Sequence, residues 1–170
     1  MLTAPTLTLR ELGPHDGAVL DAVFAGLSAA SRFRRFHGAM PRMSAATRAQ
    51  LAAVDGRRHI ALGAFVGGEP VGIARLVVVG PGRADLAVEV VDDWQGNCIG
   101  ARLVREVVAL GHSRGITEVV AEVLAENAAM RRVLATTFLE LLVTSAGPEI
   151  TYVGRAARRP GGRTWSAAAA

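Results

Sequence analysis

Short runs of apolar or alternating residues predict strands along most of the chain. Runs of this kind, bounded by Gly, Pro or polar residues, are typical of partly or fully buried strands. Gly67 and Gly68 join two of these runs in a tight hairpin. The predicted strands cover residues 7–12, 59–66, 71–79, 84–91, 116–124, 139–144 and 150–153.

Helices are predicted where apolar residues recur three or four positions apart. His15 and Asp16 cap one helix that runs to Leu27, and Ser44 caps a second that reaches Val54. Two further helices are predicted over residues 101–112 and 127–138.

This order, β-α-α-β-β-β-α-β-α-β-β, predicts a mixed α/β domain with helices packed over a central sheet. About six to seven strands and about four helices are expected in a single domain over residues 1–155, since one core usually organises this length. Residues 156–170 are rich in Arg and Ala and are predicted to form a flexible tail.

The N-terminus lacks a basic start followed by an apolar run, and no apolar run is long enough to span a bilayer. A cytoplasmic protein without a membrane partner is therefore expected. Cys98 is the single cysteine, which excludes an internal disulfide and a CxxC zinc site. The four histidines are scattered without ligand spacing, so no metal is expected.

The high isoelectric point, about 10.8, comes from the C-terminal residues. All 19 basic residues are Arg, and four of them lie in residues 155–170 without an acid. The remaining 15 Arg balance 15 acidic residues, so the body is neutral and no nucleic-acid partner is expected. A second basic stretch, Arg32 to Arg48, is either a solvated helix face or an anion contact.

The most informative segment is Val88 to Leu103, where a strand passes through a Gly-containing loop directly into a helix. Unpaired N–H groups and the helix dipole make such a junction an anion site that suits a pyrophosphate. The chain contains no Lys and neither GxxxxGK[ST] nor GxGxxG, which excludes a nucleoside-triphosphate P-loop and disfavours a dinucleotide fold.

This loop, Gln95-Gly96-Asn97-Cys98-Ile99-Gly100, resembles the phosphate loop [Gln/Arg]-x-x-Gly-x-[Gly/Ala] of the GCN5-related N-acetyltransferases, the GNAT family. The resemblance extends from Leu7 to Phe138 and includes a following strand, Asn127 and its helix. Residues 31–36 (SRFRRF) are similar to a segment of the bacterial protein-lysine acetyltransferase group.

The resemblance implies that acetyl-CoA lies in a V-shaped splay between the strands 84–91 and 116–124, the two central parallel strands. The strand edge would pair with the pantetheine amides, and the loop would hold the pyrophosphate. Asn127 would bind the pantetheine arm, cap the last helix, or do both. The implied cofactor-binding residues are Ala87, Val88, Glu89, Val90, Gln95, Gly96, Asn97, Cys98, Ile99, Gly100, Ala101 and Asn127.

Two residues depart from the family pattern. Cys98 stands where the family usually has Gly, so its Cβ would crowd the phosphates or adopt a φ that favours Gly. Weakened binding is expected, with an inert, packed thiol rather than a reactive one. Asp85 stands where the lysine-acetyltransferase group has a general-base Glu, and its shorter side chain would act through water.

An attacking amine must be neutral, so a carboxylate in the cleft is expected to accept its proton. Asp85 is the first candidate base, with Glu89 on the same strand face and Glu122 on the neighbouring strand. Each could instead be a surface carboxylate, which for Glu89 is the preferred interpretation. Many family members protonate the thiolate with a Tyr on the last helix, whereas the only Tyr here is Tyr152.

The expected function is transfer of an acetyl group from acetyl-CoA to a primary amine, either a protein lysine or a small molecule. A catalytically silent acyl-CoA-binding module is the alternative, because both Cys98 and Asp85 depart from the pattern. A homodimer is compatible with the sequence.

Overall fold

The structure is a computed structural model that describes residues 6–156. Of the tail predicted over residues 156–170, only Ala156 falls within the described residues; it is buried, and its N–H donates to the Thr117 carbonyl at 3.0 Å. Among the described residues, no helix is long and apolar enough to cross a membrane.

Residues 6–156 form seven strands and five α-helices, with a short 3-10 turn at Asp92–Trp94. In chain order they are β1 (Leu7–Glu11), α1 (Gly17–Ala25), α2 (Ala29–Phe36), α3 (Ala45–Ala52), β2 (His59–Val66), β3 (Glu69–Gly80), β4 (Arg83–Val90), α4 (Ile99–Ser113), β5 (Glu118–Leu124), α5 (Ala128–Thr137), β6 (Leu141–Ala146) and β7 (Glu149–Arg155). The mixed α/β class is confirmed, and the strand number agrees with the upper end of the prediction.

The structure has five α-helices where about four are expected, because the segment after α1 is a helix of its own. The chain leaves α1 at Gly26, and Ser28 starts α2 by accepting the Ser31 N–H at 3.2 Å. Gly38 and Pro41 then separate α2 from α3, as their sequence signals indicate.

The strands form one sheet in the order β1-β2-β3-β4-β5-β7-β6. Every neighbouring pair in it is antiparallel except β4 and β5, which are parallel. The two central parallel strands expected from the sequence are therefore β4 and β5.

Helices cover both faces of the sheet. The apolar side of α4, including the fully buried Leu103, Val104 and Val107, packs on one face. Leu20 and Val23 of α1 pack with Ile73 on the other face. The side chain of Glu89 shares that second face, because Glu89 is the cross-strand partner of Ile73.

Candidate functional site

The parallel strands β4 and β5 separate after three residue pairs, of which the last is Asp85 with Val120. Beyond that pair both strands continue, to Val90 and Leu124, without being joined to each other. The gap forms a cleft of about 490 Å³ that is walled by β4, β5 and the C-terminal part of α2.

The edge of β4 that faces the cleft offers free backbone groups. The Val91 N–H donates to the Val71 carbonyl of β3 at 2.9 Å. Because successive N–H groups of a strand point to opposite edges, the Val90 and Val88 N–H groups point away from β3 and into the gap. An extended chain containing amides can pair with such an edge as an added strand.

The loop between β4 and α4 presents a second set of free donors. Within residues 6–156, the backbone N–H groups of residues 96–101 have no protein acceptor, whereas the Arg102 N–H donates to the Cys98 carbonyl at 3.0 Å. The positive end of the α4 dipole lies at the same place, so the loop is suited to an anion. The side chain of Ile99 is buried, and this residue offers its backbone alone to the loop.

The side chains of Gln95 and Asn97 shape the loop. Gln95 Nε2 donates to the Val90 carbonyl at 2.9 Å and to Ser31 Oγ at 3.1 Å. Asn97 Nδ2 donates to the Trp94 carbonyl at 3.2 Å. Both amides thus hold the chain around the donors at residues 96–101.

Cys98 adopts φ 59° and ψ 11°, the left-handed conformation that Gly tolerates best. This is one of the two consequences expected from a non-glycine residue at that position. The expectation of a packed thiol is wrong, because the Cys98 side chain is exposed at the N-terminus of α4.

Asp85 and Glu122 lie on opposite sides of the cleft and share one face of the sheet. Asp85 pairs with Val120, and Glu122 follows two residues later on β5, so their side chains point the same way. Both are exposed and line the cleft. The structure therefore brings together two of the three carboxylates that the sequence suggested as bases.

Glu89 is buried and does not line the cleft, so its interpretation as a surface carboxylate is wrong. Its side chain is 4% exposed and accepts from Arg75 at 2.6 Å and from Arg35 of α2. Burial alone would raise the pKa of Glu89, but the two guanidinium charges outweigh it and hold that pKa below its usual value. Asp85 and Glu89 share a strand face, and α2 covers only the Glu89 end.

Asn127 caps α5 and also lines the cleft. Its Oδ1 accepts the Met130 N–H at 3.1 Å, which confirms the capping interpretation. Among residues 6–156 its Nδ2 has no hydrogen-bond partner and can donate to a ligand carbonyl, so the two roles are compatible.

Sequence reasoning missed His37 and Glu149. His37, the residue after α2, lies with its Nδ1 at 3.0 Å from Glu149 Oε1 on β7. Ligand-type atoms of His37, Glu122 and Glu149 all lie within 4.8 Å of one another, so this histidine is not isolated as its sequence spacing suggested. A separation of 112 residues between His37 and Glu149 leaves no local signal that could have found the pair.

Tyr152 is outside the cleft. Its ring is buried in the core on the α4 face of the sheet, and its hydroxyl accepts from Arg131 Nε at 3.2 Å.

The chain belongs to the acetyltransferase (GNAT) family, whose family model matches residues 24–138. The match includes β4, the loop, α4, β5 and α5. The resemblance seen in the loop is thereby confirmed. No protein with a curated description matches the sequence.

Solved structures of similar fold include acetyltransferases and acyltransferases. The GNAT domain of S. lividans PAT has a TM-score of 0.78 and 24% identity, over 86% of this chain and 89% of that one. PaiA N-acetyltransferase from Thermoplasma acidophilum, in complex with coenzyme A, has a TM-score of 0.66 and 17% identity, over 88% of this chain and 99% of that one. A cAMP-binding acyltransferase from Mycobacterium smegmatis has a TM-score of 0.61 and 22% identity, over 91% of this chain but 47% of that one.

Proposed function

We propose that this chain transfers an acetyl group from acetyl-CoA to a primary amine, with protein lysine as the first candidate acceptor. One observation carries the proposal: the free edge of β4 leads directly into a loop with unpaired N–H groups at residues 96–101. These are the two backbone surfaces that a pantetheine arm and a pyrophosphate require.

The proposed placement of the donor follows from these surfaces. The pantetheine amides pair with the Val88 and Val90 backbone, and the pyrophosphate accepts from the N–H groups of Gly96 to Ala101. Asn127 donates through Nδ2 to the pantetheine arm while its Oδ1 caps α5. The thioester then lies in the cleft, close to where β4 and β5 separate.

Asp85 is the proposed base that takes a proton from the attacking nitrogen. As the neutral amine attacks the thioester carbonyl, a C–N bond forms and the oxyanion accepts from a β4 N–H beside the thioester. The nitrogen then carries an extra proton, which passes to the Asp85 carboxylate, through water if the side chain does not reach. Collapse of the intermediate breaks the C–S bond, and the leaving thiolate takes up a proton from Asp85 or solvent.

Glu122 is the second candidate base, because it is exposed in the same cleft. Glu89 has a structural role in this proposal, as the partner of Arg35 and Arg75. A carboxylate that is buried between two guanidinium groups binds a proton weakly and lacks access to the amine.

A protein acceptor is supported by the similarity of residues 31–36 to the protein-lysine acetyltransferase group. That segment forms most of α2, which walls the cleft. One protein of similar fold is a ribosomal-protein-S18-alanine N-acetyltransferase from Escherichia coli. It has a TM-score of 0.66 and 17% identity, over 94% of this chain and 100% of that one. A small-molecule amine is the alternative acceptor. The cytoplasmic location and the homodimer stay predictions.

The second candidate function is an acyl-CoA-binding module without catalysis, which Cys98 in its left-handed conformation and the short Asp85 favour. A panel of amines and lysine peptides, incubated with acetyl-CoA and read by mass spectrometry, separates the two. Acetylated product that is lost in Asp85→Asn supports the enzyme. Binding of acetyl-CoA without product from any acceptor supports the module.

A further inference from the structure

His37 reaches over the cleft from the C-terminal end of α2. It has φ 54°, a conformation that ends the helix and turns the ring toward β7. There His37 Nδ1 lies 3.0 Å from Glu149 Oε1, and the Glu122 carboxylate is in the same cluster. All three side chains line the cleft in which the thioester would lie.

The contact with Glu149 fixes how the imidazole is used. A carboxylate oxygen accepts hydrogen bonds, so Nδ1 of His37 carries the proton and donates it. Within residues 6–156, Nε2 of His37 has no hydrogen-bond partner, and its lone pair is free. A histidine oriented by a carboxylate in this way is the usual arrangement of a general base.

We propose that His37, held by Glu149, removes the first proton from the ammonium form of the acceptor. This inference rests on the proposed function and adds a second proton acceptor to it. The Glu122 carboxylate attracts the ammonium, the proton passes from nitrogen to His37 Nε2, and the Glu149 carboxylate stabilises the resulting imidazolium. The neutral amine then attacks the thioester, Asp85 takes the second proton, and His37 returns the first proton to solvent.

The two proton transfers suit different groups. An alkylammonium ion is a weak acid near neutral pH. An imidazole, which binds a proton more tightly than an ordinary carboxylate does, is therefore the more effective base. The nitrogen of the tetrahedral intermediate is far more acidic, and a carboxylate is sufficient there. Histidine supplies the first base and aspartate the second.

Three carboxylates share the cleft with His37, and they stabilise the positive charge that the imidazole acquires when it takes the proton. Glu149 of β7, Glu122 of β5 and Asp85 of β4 face the cleft with negative charge. On α2 itself, Arg35 is paired with Glu89, and Arg34 donates to Ser31 Oγ at 3.1 Å. The two cations beside His37 are thus directed to other partners.

The test measures kcat/KM for a lysine peptide with a blocked N-terminus, from about pH 6 to about pH 10, for the wild-type chain and three variants, in buffer with EDTA. His37→Gln removes the base and Glu149→Gln removes the charge that orients it. His15→Gln is the matched control, because His15 is exposed and outside the cleft. Acetyl-CoA affinity is measured in parallel for each protein.

His37→Gln should lower kcat/KM about 100-fold near neutral pH, and the loss should shrink to about threefold near pH 10, where the amine deprotonates unaided. Glu149→Gln should show a smaller loss with the same pH trend, and His15→Gln none. A His37→Gln loss that is equal at every pH, or no loss, overturns the inference while acetyl transfer itself stands. A wild-type chain that binds acetyl-CoA without transferring acetyl overturns the proposed function, and this inference with it.

Discussion

Arg75 on β3 donates to Glu89 on β4 over 2.6 Å, and both side chains are almost completely buried. Glu89 also accepts from Arg35 of α2, so one carboxylate ties the wall of the cleft to the sheet. These contacts explain why Glu89, although it lies on the strand whose free edge is proposed to bind acetyl-CoA, has a structural role.

Replacing Glu89 by Gln should lower the free energy of unfolding by about 3 kcal/mol or more, because two buried guanidinium groups lose their counter-charge. Denaturant titration checks this. Asp21→Asn is the matched control: it breaks the exposed Arg48–Asp21 pair and should leave stability unchanged. Equal effects of the two substitutions would contradict the role given to Glu89.

The stability of the wild-type chain should also depend on pH through Glu89. Because its pKa in the folded state lies below the unfolded value of 4.5, the ionised carboxylate stabilises the fold above that value. This contribution is lost as the pH falls through the folded-state pKa. Thermal melts from roughly pH 7 down to pH 3 should show a shallower acid decline in Glu89→Gln than in wild type. If the melting temperatures of the two proteins fell in parallel with pH, other carboxylates would dominate the acid dependence of stability.

Cys98→Gly should preserve or tighten acetyl-CoA binding, since it removes a Cβ from the phosphate loop. Stability should change by less than about 1 kcal/mol, because relief of the left-handed conformation is offset by the chain entropy of Gly. Cys98→Ala keeps the Cβ and removes only the thiol. Loss of transfer in both variants, with acetyl-CoA binding intact, would instead give the thiol a chemical role.

Gly100→Val should weaken acetyl-CoA binding at least tenfold by placing a branched side chain where the pyrophosphate approaches the backbone. The nearest atom to an added Cβ is Val90 Cγ2 at 3.6 Å, an ordinary contact, so the fold should survive. Calorimetric titration of acetyl-CoA measures the affinity, and Gly100→Ala should show a smaller effect. Unchanged affinity in the Val variant would place the pyrophosphate elsewhere.

Asp85→Asn keeps the size of the side chain and removes its charge, so turnover should fall by roughly 10² or more if Asp85 takes the proton. Acetyl-CoA affinity should hardly change. Glu122→Gln is the comparison across the cleft. Full turnover in Asp85→Asn with an inactive Glu122→Gln would move the base to β5. Full turnover in both would point to an acceptor of low pKa, such as an α-amine.

The sequence predicts the local features of this fold well. Apolar periodicity places the buried side of α4, including Leu103 and Val107, and turn residues place the hairpin at Gly67 and Gly68. The phosphate loop is also readable, because its chemistry lies in consecutive backbone groups after Gln95.

The remaining features depend on residues that are distant along the chain. Arg35 and Glu89 are 54 positions apart, and His37 and Glu149 are 112 apart. Strand alternation correctly puts Asp85 and Glu89 on one face, but only the packing of α2 decides that one is exposed and the other buried.

The most direct test of the central claim is calorimetric titration of the wild-type chain with acetyl-CoA. Binding of one acetyl-CoA per chain, weakened in Gly100→Val and unchanged in Asp85→Asn, is the expected result. The absence of binding up to millimolar acetyl-CoA, with the chain folded, would contradict the assignment of the cleft and its loop as an acyl-CoA site.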